Sequence, residues 1–327
     1  RLSTIFGPDT QAPAAPADVV ENIVDRRFEA LRRYVTSSAP GQPAPVDAAV
    51  ALMGDLHTLL NATDTALKAK TALPPSDVPN KVKAQAPGMP EPLRSVVQTL
   101  ADVSARLAGG AIVANTNEAI QTQVGDFCRQ AIAGRYPLVR SSTRDATQDD
   151  FATLFAPGGK MDQFFQQNLA PLVDTSTTPW SFRRINDVAI GGPAALVQFQ
   201  RAQKIREVFF PTGGRTPGLK LEFKPIEMDA TIDQFILDVD GQLVRYSHGP
   251  QVPQSVVWPG PRGSTQVRVQ IQPAGPTGVS GVTTEGPWAL FRLFDKVAIA
   301  PTSQPERFTV TFTVDGRRAQ FEVTANS

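Results

Sequence analysis

The sequence predicts an α+β fold, in which an amino-terminal helical, bundle-like domain is followed by an antiparallel β-sandwich. Through the first half, apolar residues recur every three or four positions, which is the helical period. From about Leu219 the period changes to two, because Leu219, Leu221 and Phe223 alternate with charged residues. The dipeptides Asp240-Gly241 and Asp315-Gly316 then indicate tight hairpin turns.

Length and composition predict three regions within this fold. The 327 residues suffice for about two domains of roughly 150 residues. We assign 1–135 to the helical domain, 136–215 to a helical or irregular connecting region that ends in a long helix, and 216–327 to the β-sandwich.

The helical domain contains four predicted helices. Residues 19–35 form the first, with Asp18 as N-cap, and residues 46–70 form the second. Six prolines between residues 74 and 92 predict an extended connection over 71–92. Helical spacing then resumes in an apolar seam that consists of Leu93, Val96, Val97, Leu100, Val103 and Leu107. After Gly109-Gly110 a further helix is expected over Ile112–Ile132.

The connecting region and the sandwich are predicted from shorter signals. Short helices are expected near 148–155 and near 160–170, and a strong helix is expected over 193–209. The pair Asp149-Asp150 suits the first turn of the helix near 148–155. Seven or eight strands follow, with loops in the glycine- and proline-rich segments 248–263 and 273–287.

Two local features of the β region allow sharper predictions. If both Asp-Gly pairs are two-residue turns, the facing residues are Val239–Gln242, Leu237–Val244 and Phe235–Tyr246, and Val314–Arg317, Phe312–Ala319, Val310–Phe321 and Phe308–Val323. The segment Gly286–Asp295 predicts one short helix that starts at Pro287 and is apolar nearly all round. Such a helix must be buried on more than one side, and Trp288 is its expected anchor.

The charge balance and the single cysteine exclude several classes of protein. Lys and Arg number 32 against 31 Asp and Glu, a net charge of +1 that favours neither nucleic acid nor an anionic membrane. Cys128, the one cysteine, excludes an intrachain disulfide and a multi-cysteine zinc site. We expect it to be a small buried apolar residue on a helix.

The sequence predicts no catalytic, cofactor or metal site. The two histidines, His57 and His248, have no second ligand at a suitable spacing, and no Gly-x-Ser-x-Gly motif is present. Residues 157–160 depart from the phosphate-loop pattern, because Met161 follows the lysine. We therefore expect that the protein is not an enzyme.

Several segments resemble, in the same order, the periplasmic carboxy-terminal region of the IcmF-like (TssM) family of type VI secretion inner-membrane core subunits. They span about 136–327 and include Tyr136-Pro137-Leu138, Leu154–Gly159, Asp162–Phe165, Leu169–Asp174, Trp180, Phe199–Phe210, Asp240–Gln242, Tyr246–Pro250, Trp258–Gly260 and Gly286–Asp295. Residues 1–135 match only in general character.

The resemblance implies a non-catalytic scaffold module in the periplasm. It implies docking to the outer-membrane lipoprotein of the secretion system, contact with an inner-membrane partner subunit, and assembly into a homo-oligomer, without nucleic acid. No apolar run approaches the roughly 18 residues of a membrane span, no signal peptide is present and the chain opens at Arg1. We therefore expect the membrane anchor in segments missing from this chain.

The sequence is also compatible with two other functions. A carbohydrate- or peptidoglycan-binding module would require a solvent-exposed Trp258, and an enzyme of unfamiliar type would require a pocket that groups His248 with a carboxylate. Tryptophans 180, 258 and 288 are otherwise expected in the core or at a domain interface. Partner-contact residues are unknown from sequence, and the loops at 248–263 and 273–287 are the candidates.

Overall fold

The predicted α+β fold is confirmed. The structure, a computed structural model, describes residues 23–71, 76–185, 188–189, 194, 196–263 and 265–326. They form two compact units, one from the described parts of Arg1–Ala119 and Ser181–Pro193, the other from Ile120–Trp180 and Ala194–Ser327. Helices come first and antiparallel sheets follow. The division into three domains stays a prediction.

The first unit is built mainly from helices. Its elements are α1 (Ile23–Val35), α2 (Pro45–Ala69), α3 (Val78–Gln85), a 3₁₀ turn (Ala86–Gly88), α4 (Leu93–Ile120, which extends one residue into the second unit), and the short strands β2 (Ser181–Phe182), β3 (Arg184–Ile185) and β4 (Val188–Ala189). The helices predicted at 19–35 and 46–70 are thus present, and Asp18 lies outside the described residues.

One apolar core holds α2, α3 and α4 together. Except for Met89, its members are small or branched apolar residues, which allow close helix packing, and the full set is Ala49, Leu52, Leu56, Val82, Ala86, Met89, Val97 and Ala101. Asn115 adds a polar tie, because its side-chain amide donates to the carbonyl oxygens of Ala66 at 3.1 Å and Thr71 at 2.7 Å. These bonds join α4 to the carboxy-terminal end of α2 and to the residue that follows its C-cap.

Two predictions about this unit are wrong. The extended connection expected over 71–92 contains α3 and the 3₁₀ turn, because Pro79 occupies the first helical turn, where no backbone N–H is needed. The break expected at Gly109-Gly110 is absent, since α4 runs through both glycines. Gly109 is buried in that helix, where packing outweighs the poor helix propensity of glycine.

The predicted apolar seam of α4 is buried only in part. The buried face is lined by Val97, Ala101, Ser104, Ala105, Ala108, Ala111 and Ile112. Four residues of the seam are instead exposed, namely Val96 (52%), Leu100 (42%), Val103 (37%) and Leu107 (55%). The helix therefore has two apolar faces, of which its own unit covers one.

The helix that begins at Leu93 continues to Ile132 through π-helical turns at Gln121–Gly125 and Cys128–Ile132. Within the described residues it is the one helix whose length and composition would allow it to cross a membrane, and 39% of its apolar stretch is buried. This corrects the expectation that no such run exists; helices in protein cores share this length and composition. Cys128, expected to be buried, is half-buried, and that burial raises the pKa of its thiol.

The second unit begins with short helices that pack through aromatic rings. Its elements before the sandwich are α5 (Gln148–Phe155), α6 (Lys160–Phe164), a π-helical turn (Phe165–Leu169), a 3₁₀ turn (Ala170–Leu172), the strand β1 (Val173–Asp174) and α7 (Val197–Phe209). Ring centroids lie 5.7 Å apart for Phe164 and Phe199 and 5.1 Å apart for Phe165 and Trp180. These three helices agree with the predicted positions.

Two antiparallel sheets form the sandwich. One has the order β10-β9-β6-β7, with β6 (Gln234–Val239), β7 (Gln242–Tyr246), β9 (Gln266–Gln272) and β10 (Gly281–Glu285). The other has the order β11-β12-β13-β5-β8, with β5 (Leu219–Met228), β8 (Gln254–Trp258), β11 (Ala298–Pro301), β12 (Arg307–Val314) and β13 (Arg317–Asn326). The sheets meet where the Phe235 ring lies 5.2 Å from Phe312 and 4.8 Å from Phe321.

Both predicted hairpin registers are confirmed. Val239 faces Gln242 and Phe235 faces Tyr246, and in the second hairpin Val314 faces Arg317. Both residues of each turn have positive φ, at 51° and 85° for Asp240-Gly241 and 50° and 77° for Asp315-Gly316. This is the backbone of a type I′ turn, which matches the twist of the flanking strands.

The boundaries predicted for the loops and the short helix need correction. Segment 248–263 contains β8, and segment 273–287 contains β10, because each short strand pairs with a neighbour that sequence alone does not indicate. The short helix α8 spans Ala289–Phe294, so that Pro287 lies before it and Trp288 is its N-cap. It is packed on more than one side, as expected.

Candidate partner-binding surface

Trp288 fixes α8 in the second unit. Its side chain is 0% exposed, and the indole N–H donates to the Ala146 carbonyl oxygen at 2.7 Å. Its ring lies 4.9 Å from Trp258 and 5.0 Å from Phe151. Because α8 has only six residues, packing rather than helix propensity must hold it in place.

Polar contacts then attach the segment 136–145 to α8. The Tyr136 hydroxyl donates to Asp295 at 2.6 Å, and Arg292 lies over the Tyr136 ring at 4.1 Å while pairing with Asp145. Burial, and next the hydrogen bond to Asp295, raise the pKa of the Tyr136 phenol well above its ordinary range. The network brings the chain near Tyr136 to the end of strand β10.

Two glutamine side chains form hydrogen bonds with the backbone along the neighbouring edge strands β7 and β8. The Gln254 amide binds the backbone of Arg245, accepting from its N–H at 2.9 Å and donating to its carbonyl at 2.8 Å. The Gln242 amide binds the backbone of Val257 in the same way, at 2.8 and 2.7 Å. Strands β7 and β8 are the edges of different sheets, so each amide occupies backbone groups that would otherwise be open to another strand.

The other two edges differ from each other. Strand β11 is only four residues long and contains Pro301, and both features discourage pairing with a further strand. Strand β10 has five residues, Gly281–Glu285, and pairs on one side only, with β9. We call the paired hydrogen bonds from the Gln242 or Gln254 amide to a strand edge a glutamine clamp. Among the described strands of the sandwich, β10 is thus the edge that carries neither a proline nor a glutamine clamp.

Hydrogen bonding at both ends of β10 shows which of its backbone groups point outward. The Ile271 N–H donates to the Ser280 carbonyl at 2.8 Å, and the Gly286 N–H donates to the Thr265 carbonyl at 2.9 Å. Alternate residues of an antiparallel pair face the neighbouring strand, so even-numbered residues here bond to β9. The N–H and C=O groups of Gly281, Thr283 and Glu285 therefore point away from the sheet.

A polar pocket of about 540 Å³ lies beside this edge. Strand β10, α8 and the segment near Tyr136 line it, with Tyr136, Arg140, Thr283, Thr284, Glu285, Arg292, Asp295 and Lys296. The Nε atom of Arg140 lies 3.4 Å from Oδ1 of Asp295, and the Arg140 side chain is 86% exposed. The open backbone edge is thus flanked by charged side chains of both signs.

A second pocket, of about 550 Å³, lies by the 259–267 segment. The buried Asp240 carboxylate shapes it by accepting the backbone N–H groups of Arg262 and Gly263, each at 2.8 Å. The Trp258 indole donates to the Pro287 carbonyl at 3.2 Å in its wall. These polar groups hold the loop to the sandwich.

The residues singled out by sequence are dispersed over the structure. His57 is exposed on α2 beside Asn61, and a ring nitrogen of His248 lies 2.6 Å from the Ile232 carbonyl. Asp149 and Asp150 lie in the first turn of α5, as predicted. Trp258 is 4% exposed, so its ring offers no face for stacking on a sugar. No group of three potential metal ligands occurs among the described residues.

Sequence reasoning missed the glutamine clamps and the open edge. Gln242 and Gln254 have no distinctive local pattern, because their partners belong to another strand. β10 could have been found from the apolar and β-branched residues of Gly281–Glu285, which resemble a short strand, but the surrounding glycines and prolines indicated a loop.

Comparison with known proteins agrees with this architecture. Residues 221–327 match the family model of the type VI secretion protein IcmF C2-like domain. The whole chain is 35% identical, over 334 aligned residues, to the type VI secretion system component TssM1 of Pseudomonas aeruginosa strain PAO1. The predicted IcmF-like (TssM) resemblance is confirmed. The chain spans 30% of the length of that relative.

Two solved structures share the fold. The TssM C-terminal domain from EAEC superimposes with a TM-score of 0.56 at 23% identity, over 66% of this chain and 90% of that one. A chain of a type VI secretion system membrane core complex gives a TM-score of 0.68 at 18% identity, over 93% and 67%. At these identities the match supports the fold alone.

Proposed function

We propose that this chain is a non-catalytic scaffold module of a type VI secretion membrane complex, and that its β-sandwich docks the outer-membrane lipoprotein of that system. The 35% identity to TssM1 along the whole chain supports the scaffold role. In this proposal the module stands in the periplasm, contacts an inner-membrane partner subunit and assembles with further copies of itself. The rest of the protein would anchor it in the inner membrane.

The open edge of β10 is the observation that favours docking through the sandwich. Of the four edges that the described strands give the two sandwich sheets, β7 and β8 are occupied by glutamine amides, and β11 is short and carries a proline. The outward backbone groups of Gly281, Thr283 and Glu285 remain for a strand of the partner. Pairing of this kind gives affinity through main-chain hydrogen bonds, and side chains beside the edge give specificity.

The charge of the chain predicts how docking responds to salt. With 32 basic and 31 acidic residues, the chain has little net field for long-range steering. A partner charge in contact with Arg140 or Lys296 beside β10 would lie within a Debye length of that side chain, where salt screens the attraction only weakly. We therefore expect a weak dependence of affinity on ionic strength.

Calorimetric titration of the full chain with the purified soluble lipoprotein tests this proposal. The full chain is required because Trp288 and α8 join the sandwich to residues near 146, so 216–327 alone would lose part of its core. We expect a one-to-one complex whose dissociation constant changes less than about tenfold between low and high salt. Absence of binding at both salt concentrations, or binding that disappears at moderate salt, would contradict the proposal.

A further inference from the structure

The exposed face of α4 has the spacing of a helix-pairing seam. Val96, Leu100, Val103 and Leu107 follow one another at intervals of four, three and four residues, which is the a/d pattern of a heptad. Their exposed fractions are 52%, 42%, 37% and 55%, although Leu and Val are usually buried. The opposite face of the same helix supplies the buried residues of its own unit.

The seam is complementary to its own reverse, because valine and leucine alternate along it. When a second copy of α4 is laid antiparallel, Val96 meets Leu107 of that copy and Leu100 meets its Val103, so each of these layers contains one valine and one leucine. One layer further out, Gly110 meets Leu93, a larger residue that is partly buried against the core of its own unit and completes the edge of the seam. A parallel arrangement would instead pair leucine with leucine and valine with valine.

Such symmetry is what a two-fold interface requires, because residue i must contact residue j while j contacts i. Alternation of large and small residues lets two helices interdigitate along their length. The charges allow it as well: Arg106 borders the seam, and the antiparallel alignment places it opposite Thr99 of the second copy rather than opposite another arginine.

We propose that α4 pairs antiparallel with α4 of a second copy of this chain, through Leu93, Val96, Leu100, Val103, Leu107 and Gly110. This inference rests on the self-assembly part of the proposed function and is independent of lipoprotein docking. The contact extends over about 26 Å of helix at 1.5 Å per residue. One helix pair of that length is smaller than a standard interface of roughly 1,200–2,000 Å², so the isolated dimer is weak.

Cysteine cross-linking captures a weak dimer and reports its direction. The variants carry Cys128→Ser, with Val96→Cys and Leu107→Cys either together or singly. Positions 96 and 107 lie about 16 Å apart along one helix, too far for a disulfide within one chain. After mild oxidation we expect a covalent dimer from the double variant, and at least tenfold less from either single variant.

Two further substitutions connect the result to this face. Leu100→Glu in the double-cysteine background should lower the dimer yield at least tenfold, whereas Val50→Glu, at a residue that is 64% exposed on α2, should leave it unchanged. Circular dichroism of both variants checks that the fold is kept. Lipoprotein binding should be unaffected by Leu100→Glu, so docking and self-pairing can fail separately.

Three results would overturn the inference. Equal cross-linking of the single variant Val96→Cys would mean that the helices pair in parallel. Absence of cross-linking in the double variant would mean that this face does not join copies. Flotation of the chain with phospholipid vesicles, lost in Leu100→Glu, would mean that the seam contacts a membrane instead.

Discussion

Replacing Trp288 by alanine should destabilise the second unit severely. Truncation of a large aromatic residue in a core typically costs about 3–5 kcal/mol of unfolding free energy. Trp288 is 0% exposed and has four aromatic neighbours, with centroids 4.9 Å (Trp258), 5.0 Å (Phe151), 5.6 Å (Phe291) and 6.3 Å (Phe209) away. The substitution also removes the hydrogen bond to the buried Ala146 carbonyl, a loss of roughly 1–3 kcal/mol.

These contributions place Trp288→Ala near the upper end of that range, at about 4–5 kcal/mol. Urea unfolding followed by circular dichroism measures the change, and a thermal scan should show a decrease in Tm of roughly 10–20 °C. Trp288→Phe serves as the matched control, because it keeps a ring in the cluster and loses the indole N–H. We expect it to cost about 1–2 kcal/mol. An unchanged Tm in Trp288→Ala would refute the view that this residue anchors α8.

Three other predictions concern the sandwich and its attachment. Gly281→Ala should destabilise the chain by about 1–3 kcal/mol in urea, because an added Cβ would clash with the Val269 carbonyl oxygen; unchanged stability would show that β10 is misplaced. Gln242→Ala with Gln254→Ala should open the β7 and β8 edges and raise light scattering on storage, whereas Gln272→Ala, on the paired strand β9, should not. Tyr136 should ionise only above the ordinary phenol range near pH 10, because folding raises its pKa. The stability that this shift contributes is complete below pH 10 and is lost as the pH rises further. In an absorbance titration, Tyr136→Phe should remove the ionisation step that occurs at the highest pH.

Local turn chemistry made the hairpins predictable. Asp240-Gly241 and Asp315-Gly316 tolerate positive φ at both turn positions, and the alternation of apolar residues beside them then fixes the register. The start of α5 was predictable for a similar reason, since Asp149 and Asp150 suit the positive end of a helix. In each case the deciding interaction lies within a few residues of the chain.

Predictions failed where distant residues decide the outcome. Pro79 was taken as a helix breaker, but proline is accepted in a first turn, and burial of Val82 against α2 and α4 favours the helix. Periodicity identified the apolar seam of α4 but not which of two apolar faces the unit covers. The glutamine clamps join strands of different sheets, so the open edge of β10 could not be inferred from the sequence.

The measurement that tests the docking account most directly is lipoprotein binding to the variant Thr283→Pro. Proline at position 283 removes one of the three outward N–H groups of β10 without taking a bond from the pairing with β9, so the fold should survive. We expect the dissociation constant to rise at least tenfold, about 1.4 kcal/mol, because a main-chain hydrogen bond to the partner is lost. Thr283→Val keeps the N–H and Ile299→Pro alters the β11 edge, and both should bind as the unmodified chain does. Unchanged affinity of folded Thr283→Pro would contradict docking through β10.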